Sequence, residues 1–551
     1  MTIHNHGERP YGWVGAISER RAQLSPDRIG LVDADTGEEY SYKTLDERAN
    51  RTARLLRDNG IEKGDRVAVV ARNCPELVDL YFATAKVGAV LAPLSHRLAP
   101  REITEMLNDV EPGMLVVEKP FEAAVDTALS ADERTFDMPA VVGLASEENG
   151  DFREHTSLEG VEWEQFSDVL PADESPVETA ALALSDPHLF LHTGGSTGLP
   201  KEVVQTHGGI MWNAFNTIIS WGIQPHDVTP MVFPMFHTGG WNVLTIPFFH
   251  MGGTVIISRD FDPRQVLQLI EEYSASVLVA VPAVLRFMVE DEEWENTDLS
   301  SLRFAKSGGG PCRDAIIEAW SNRGISLSQG YGLTECGPNN FSMPDDFPRE
   351  KTDSIGTPSL YVDARIVDDD GTEVEQGEVG ELELASPHAG DRYWRNPEET
   401  AAVFGGGSES GASGTSEEAP SSGSWVSTGD LARVDDDGYY HIEGRKKNMF
   451  VSGGENVFPP EVEDVIADHP KVEDAIVVPV PDEKWGEVGK AVVEGDESLT
   501  LEELQEFMEG RIARFKIPKH IAFVDSMPMS GPSKIDRQAI EEQFGGDAHE
   551  E

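Results

Sequence analysis

Helix-period and strand-period segments alternate along the first half of the chain, and this alternation narrows the possible folds more than any other feature. Leu45, Ala49, Ala53 and Leu56 recur at helical spacing, and Gly60 is placed to end that helix. Residues 66–71 (RVAVVA) follow as a buried strand, Asn73 with Pro75 opens another helix, and residues 88–94 form a second apolar run. Residues 277–281 and 302–305 repeat the strand pattern, the latter just before a glycine run. Such alternation predicts an α/β fold of parallel sheets covered by helices. At 551 residues the chain exceeds the roughly 100–200 residues of one domain, so at least two domains are expected.

Three breaks divide the pattern. Residues 129–179 are acidic and weakly periodic and read as surface elaboration. Residues 405–424 (GGGSESGASGTSEEAPSSGS) hold six Gly, seven Ser and no base, so they cannot bury enough apolar surface to offset their ordering entropy. They read as a disordered insertion. Past Arg445 the pattern becomes that of a smaller α+β unit, with residues 459–469 helical, 474–479 strand-like and 501–514 helical. The expected domains are 1–444 and 447–551.

Charge excludes several functions. Asp plus Glu number 99 against 44 Lys plus Arg, a net charge of −55. A phosphate backbone would be repelled, so no nucleic-acid partner is expected. The acidic residues are scattered between apolar segments rather than gathered in runs, and 29 of the 44 bases are Arg. A carboxylate-coated, Lys-poor surface suits a cytoplasm of very high salt, where screening removes self-repulsion. A protein of a halophilic archaeon is the expectation. The three cysteines, Cys74, Cys312 and Cys336, have no metal-ligand spacing. No apolar leader opens the chain, and the longest apolar stretch, residues 245–257, is broken by His250, Gly252 and Gly253. A cytoplasmic protein without an integral membrane segment is expected; the pattern leaves oligomeric state open.

Residues 193–201 (TGGSTGLPK) carry three glycines, three hydroxyls and a lysine directly after apolar residues 189–191. Glycines let backbone N–H groups approach an anion, and hydroxyls and lysine add donors. Taken alone, a Gly/Ser turn is as good a reading as a phosphate cradle. Four further segments follow in order: 330–335 (GYGLTE), 427–430 (STGD), 444–463 (GRKKNMFVSGGENVFPPEVE) and 528–537 (PMSGPSKIDR). Together the five resemble the adenylate-forming (AMP-binding) superfamily of acyl-CoA synthetases, luciferases and peptide-synthetase adenylation domains.

The resemblance implies a large N-terminal domain of helix-covered sheets and a small mobile α+β C-terminal domain. It also implies a two-step ligase using ATP, Mg²⁺ and CoA: an acid becomes its adenylate with release of pyrophosphate, then a CoA thioester with release of AMP. By that likeness Thr193, Gly194, Gly195, Ser196, Thr197, Gly198 and Lys201 would grip the β- and γ-phosphates. Tyr331 would stack on adenine beside Gly308, Gly309 and Gly310, with Gly332 in the same loop and Thr334 at the α-phosphate. Glu335 with Thr193 would hold Mg²⁺, a cation that prefers oxygen ligands. Asp430 would accept both ribose hydroxyls, and Arg445 would face the ribose or phosphates. Lys534 would stabilise the charge that develops on the α-phosphate; the family's usual glycine before it is Ser533 here. Lys447 would sit at the hinge about which the small domain turns between half-reactions. Ser452, Gly453, Gly454 and Glu455 would then line the approach of the thiol.

Residues 233–242 (FPMFHTGGWN) match the border of the acyl pocket, with His237, Gly239, Gly240 and Trp241 shaping it. Amino-acid-activating relatives place an aspartate after the phenylalanine; here His237 follows Phe236, which favours a medium- or long-chain fatty acid or an aryl acid. For His237 a purely structural role stays open, and Cys336 reads as a small packing residue rather than a nucleophile. Two other functions stay open beside the CoA ligase: loading of a carrier-protein thiol, and non-catalytic nucleotide binding.

Overall fold

The computed structural model describes residues 11–145, 163–193, 200–344, 347–405, 425–452, 455–482, 484–509, 511–529 and 535–545. The expected insertion at 405–424 therefore lies outside the described residues, apart from Gly405. The chain forms two compact units. The first comprises Met1–Phe347, Thr357–Ala364 and Leu384–Ser427; the second comprises Pro348–Gly356, Arg365–Glu383 and Thr428–Glu551.

The first unit is built on the predicted alternation. Helix Tyr42–Asp58 starts at Ser41, whose hydroxyl accepts from Thr44 N–H at 3.1 Å, and buries Leu45, Ala49, Ala53 and Leu56. Strand Arg66–Val70 pairs in parallel with Val90–Leu94 on one side and Met114–Glu118 on the other. Helix Pro75–Val87 supplies the crossover and ends on Gly88 in the left-handed conformation, φ 85°. The complete sheet has eight strands, in the order Arg392–Tyr393, Lys201–Thr206, Pro187–Thr193, Val90–Leu94, Arg66–Val70, Met114–Glu118, Ala140–Leu144 and Trp163–Gln165. Its inner strands Arg66–Val70, Val90–Leu94 and Met114–Glu118 are near-continuous apolar runs, as burial on both faces requires.

The last two strands correct the reading of 129–179 as surface elaboration. Ala140–Leu144 extends the sheet in parallel, and Trp163–Gln165 extends it further. Val141, Val142, Leu144 and Phe166 are buried there. A five-residue strand among acidic loops leaves too short a periodicity to stand out.

Two more sheets complete the unit. Val228–Met231, Thr254–Ile257, Ile29–Asp33 and Glu39–Ser41 form one; Val277–Ala280, Phe304–Ser307 and Leu327–Gln329 form a parallel three-stranded sheet. Buried Asp227 ties them, accepting from Ser276 Oγ at 2.7 Å and pairing with Arg303 Nη2 at 2.6 Å.

The second unit holds most residues of a sheet that orders Asp363–Val367, Gly380–Ala385, Val426–Val434 and Tyr440–Arg445. Another joins Phe450–Ser452, Glu455–Val457, Val472–Asp482, Gly486–Gly495 and His520–Val524. Helix Pro459–Ala467 packs Val462 and Ile466 into that core. The helix expected over 501–514 is shorter, Leu501–Met508, because Glu509 turns to an extended backbone with ψ 125°. Among the described residues no helix is long and apolar enough to cross a membrane.

Candidate functional site

The glycine-rich segment 193–201 joins two antiparallel strands, Pro187–Thr193 and Lys201–Thr206, and Thr193 and Lys201 are the pair that closes the ladder. The predicted phosphate-loop residues Gly194, Gly195, Ser196, Thr197 and Gly198 lie outside the described residues. Lys201 is placed: its Nζ lies 2.8 Å from Glu399 Oε2 and 5.5 Å from the centroid of the Tyr393 ring.

The parallel three-stranded sheet explains how two segments far apart in sequence meet. Phe304–Ser307 runs into the Gly308, Gly309, Gly310 loop, and neighbouring Leu327–Gln329 runs into the GYGLTE turn. Parallel strands deliver both loops at one carboxyl edge, where open α/β sheets bind ligands. Gly330 N–H donates to Ser307 O at 2.7 Å and Cys312 N–H to Gln329 Oε1 at 3.1 Å, so the two loops are tied. Tyr331 meets Phe341 edge-on at 5.7 Å. Gly332 admits no side chain, since a Cβ there would sit 2.7 Å from Asn339 N and Pro338 Cα.

Thr334 is buried, and its carbonyl accepts from Gln205 Nε2 at 2.9 Å; Gly390 N–H donates to Glu335 O at 2.8 Å. These bonds fasten the GYGLTE turn to strand Lys201–Thr206 and to the segment at Gly390. The Glu335 carboxylate accepts from Tyr393 Oη at 2.9 Å. Burial, and then the charge of Glu335, push the Tyr393 phenol well above its ordinary value, so it remains a donor. Cys336 is buried.

In the predicted acyl border, Asn73 braces the turn from both sides: its Nδ2 donates to Phe233 O at 3.0 Å, and its Oδ1 accepts from Met235 N–H at 2.8 Å. Gly239–Val243 is a π turn, a form that recurs at functional sites. Trp241 is fully buried, donates its indole N–H to Met235 O and stacks on Tyr81 at 5.0 Å. His237 is exposed, with its ring 4.5 Å from Phe236 and 5.9 Å from His192. His96 meets the Phe236 ring at 5.3 Å. Burial lowers the pKa of His192 to about 3 and of His96 to about 4, so both are neutral.

In the second unit, strand Val426–Val434 faces Tyr440–Arg445, and Asp430 pairs with Arg445. Asp430 is 4% exposed; Arg445 Nε lies 2.7 Å from its Oδ1 and Arg445 Nη1 donates to Thr428 O at 3.1 Å. Lys447 is exposed within the one-turn helix Lys446–Asn448. Ser452 is buried and pairs with Glu455 across a short hairpin, while Gly453 and Gly454 lie outside the described residues. Lys534 also lies outside them. On either side of it Met529 bridges to Ile535, Asp536 N–H donates to Pro528 O at 2.8 Å, and Arg537 forks onto buried Glu463.

Sequence reasoning missed the neighbours Tyr393, Glu399, Gln205 and Asn73. A signal for one stretch was present: Asn396-Pro397 followed by Glu399 is a helix start, and Asn396 Oδ1 accepts from Glu399 N–H at 3.2 Å.

Comparison with known proteins places these segments. Residues 18–394 match the AMP-binding enzyme model and residues 461–534 the AMP-binding enzyme C-terminal domain. The chain is 33% identical over 534 residues to a feruloyl-CoA synthase of Amycolatopsis, covering 97% of this chain and 99% of that protein. It is 33% identical over 535 residues to a long-chain-fatty-acid–CoA ligase of Mycobacterium tuberculosis, covering 96% and 98%. The ATP-bound crystal structure of MatB from Rhodopseudomonas palustris superposes with a TM-score of 0.82 at 27% identity, covering 97% of this chain and 99% of that one. The chain belongs to the family of AMP-binding enzymes, and its fold is that of the adenylate-forming enzymes.

Proposed function

We propose that this AMP-binding enzyme is an AMP-forming acyl-CoA synthetase that joins a medium- or long-chain fatty acid or an aryl acid to CoA. The observation that carries the reading is the tie between the phosphate hairpin and the GYGLTE turn, through Gln205 and Thr334, at the edge where the glycine loop 308–310 also emerges. A triphosphate-gripping hairpin beside an aromatic ring and a carboxylate is what adenylation of an acid needs.

The substrate carboxylate attacks the α-phosphorus, pyrophosphate leaves, and an acyl-adenylate forms; a CoA thiol then attacks the acyl carbon and AMP leaves. Thr193, residues 194–198 and Lys201 grip the outer phosphates, Tyr331 and Gly308–Gly310 border adenine, and Thr334 meets the α-phosphate. Asp430 takes the ribose hydroxyls with Arg445 beside it. Lys534 stabilises the charge that grows on the α-phosphate. Ser452 to Glu455 line the thiol's path and Lys447 serves as the hinge.

Glu335 and Thr193 offer oxygen donors, the set a hard cation takes, and Tyr393 occupies one oxygen of Glu335, which leaves the other uncommitted by that bond. Mg²⁺ held there supplies charge neutralisation to the phosphates.

The acyl reading rests on the rings around His237. Phe236 and the neutral imidazoles of His96 and His192 bring no negative charge to pair with an ammonium group, which favours an uncharged acyl portion. The feruloyl and long-chain relatives point the same way.

The test is pyrophosphate release from MgATP in molar KCl, with and without CoA, across acids from acetate to palmitate plus benzoate and phenylacetate. Acid-dependent release that accelerates with CoA supports the synthetase and names the acid. Release indifferent to CoA but accelerated by a pantetheinylated carrier protein replaces CoA with that acceptor. ATP binding without release under any acid leaves a non-catalytic nucleotide binder.

A further inference from the structure

The segment after Gly390 is built onto the edge of the phosphate hairpin. Arg392 and Tyr393 pair with Val204 and Val203, and Asp391 and Trp394 N–H groups donate to Val204 O and Glu202 O at 2.9 and 2.8 Å. Helix Pro397–Phe404 follows, with Glu399 in its first turn. Its Thr400 hydroxyl accepts from Tyr393 N–H at 3.0 Å, and Phe404 meets the Tyr393 ring edge-on at 5.3 Å. Tyr393 is thus held from both flanks and is 6% exposed.

Held in this way, Tyr393 touches two charged groups of opposite sign. Its hydroxyl donates to Glu335 Oε1 at 2.9 Å, and Lys201 Nζ stands 5.5 Å from its ring centroid while pairing with Glu399 at 2.8 Å. A hydrogen bond to a carboxylate restricts its rotation without neutralising it, and a ring face attracts a cation without consuming its charge. Glu335 keeps its charge for a metal and Lys201 keeps its charge for phosphate.

We propose that Tyr393 is a positioning residue of the metal–nucleotide subsite: its hydroxyl orients Glu335, and its ring, with Glu399, holds the ammonium group of Lys201 in place. This rests on the reading of Glu335 as the metal-holding carboxylate and Lys201 as the phosphate-loop lysine. The hydroxyl and the ring make separate contributions, so they can be removed separately.

The experiment measures Mn²⁺ bound to the enzyme–ATP complex by electron paramagnetic resonance, with ATP binding in EDTA measured alongside. Tyr393→Phe keeps the ring and the packing on Phe404. It is expected to weaken Mn²⁺ binding about tenfold or more, the effect of losing a hydrogen bond to a charged group, with metal-free ATP binding unchanged. Tyr393→Leu is expected to weaken metal-free ATP binding as well, because Lys201 loses its support. In a Glu335→Gln background, Tyr393→Phe is expected to add little. If Glu335→Gln weakens Mn²⁺ binding but Tyr393→Phe does not, or adds its full effect in the double variant, the positioning role is overturned alone. If Glu335→Gln leaves Mn²⁺ binding unchanged, the reading of Glu335 falls and the proposal falls with it. Melting curves of each variant, and conversion of supplied acyl-adenylate to thioester, identify a variant that has lost its fold. Should Tyr393→Phe be one, Glu399→Gln still reads the Lys201 arm: unchanged metal-free ATP binding there overturns it.

Discussion

Arg445 Nε lies 2.7 Å from Asp430 Oδ1 across an antiparallel pair of strands, so a half-exposed guanidinium orients a carboxylate that is almost wholly buried. A carboxylate has about four lone-pair sites, so this bond is compatible with two more from ribose hydroxyls, and charge-assisted bonds are the stronger kind. Asp430→Asn is expected to raise the ATP KM by about 10- to 100-fold, the equivalent of ~1.5–3 kcal/mol. Arg445→Gln should raise it less and leave Asp430 with one partner fewer. Pyrophosphate exchange against ATP concentration checks both, and an unchanged KM in Asp430→Asn would remove Asp430 from the nucleotide site.

Glycines that look alike in sequence differ in what surrounds them. A Cβ on Gly240 would stand 2.5 Å from Pro234 O and 2.6 Å from Met235 Cα, both backbone, so the π turn must move. A Cβ on Gly308 would meet nothing within 4 Å. Gly240→Ala is therefore expected to destabilise the fold by about 1–3 kcal/mol, the usual cost of overpacking, and to distort the acyl border. Gly308→Ala should melt like the parent, with any loss confined to ATP KM. Thermal melting of the pair decides it: equal melting temperatures would mean the turn relaxes freely.

How far the sequence was legible follows the range of each interaction. Glycine loops, strand runs and helix caps are local, so the motifs and the order of elements could be read from residues a few positions apart. The Tyr393–Glu335 bond spans 58 positions, and Lys201 meets Glu399 only because strand Arg392–Tyr393 joins the hairpin edge. No periodicity reports such a pairing. Strands Ala140–Leu144 and Trp163–Gln165 were hidden for another reason: each is only as long as the sheet edge needs, inside acidic loops. Glu202 illustrates a third limit, because a charged letter next to Lys201 reads as a solvated residue until the fold buries it.

That burial gives a pH prediction. Glu202 is 1% exposed, and neither carboxyl oxygen has a hydrogen-bond partner among the described residues. Desolvation, then the charge of Asp109, push its pKa up to about 8. In the unfolded chain a glutamate titrates near 4.3. The folded pKa is the higher one, so this contribution to stability is complete below the unfolded pKa and is lost as pH rises towards 8. Glu202→Gln lacks that titration. The variant is expected to melt alongside the parent at pH 5 and a few degrees above it at pH 8.5, since each tenfold difference in proton affinity between folded and unfolded chain is worth about 1.4 kcal/mol. Scanning fluorimetry at fixed KCl checks this; a gap that stays constant with pH would mean the carboxyl is ionised in the fold.

Lys534 offers the sharpest separation of the two half-reactions. It lies outside the described residues; on either side of it Met529 bridges to Ile535, and Arg537 forks onto Glu463. The proposed role of Lys534 is to meet a charge that exists only in the transition state. Lys534→Ala is expected to lower the rate of adenylate formation by ~10²–10³, the worth of one such donor. Conversion of supplied acyl-adenylate to the CoA thioester should continue, since that step asks nothing of the α-phosphate charge. Pyrophosphate exchange reads the first step and thioester formation from synthetic adenylate reads the second. Equal loss of both in a variant that melts normally would mean that Lys534 has no role specific to the adenylation step.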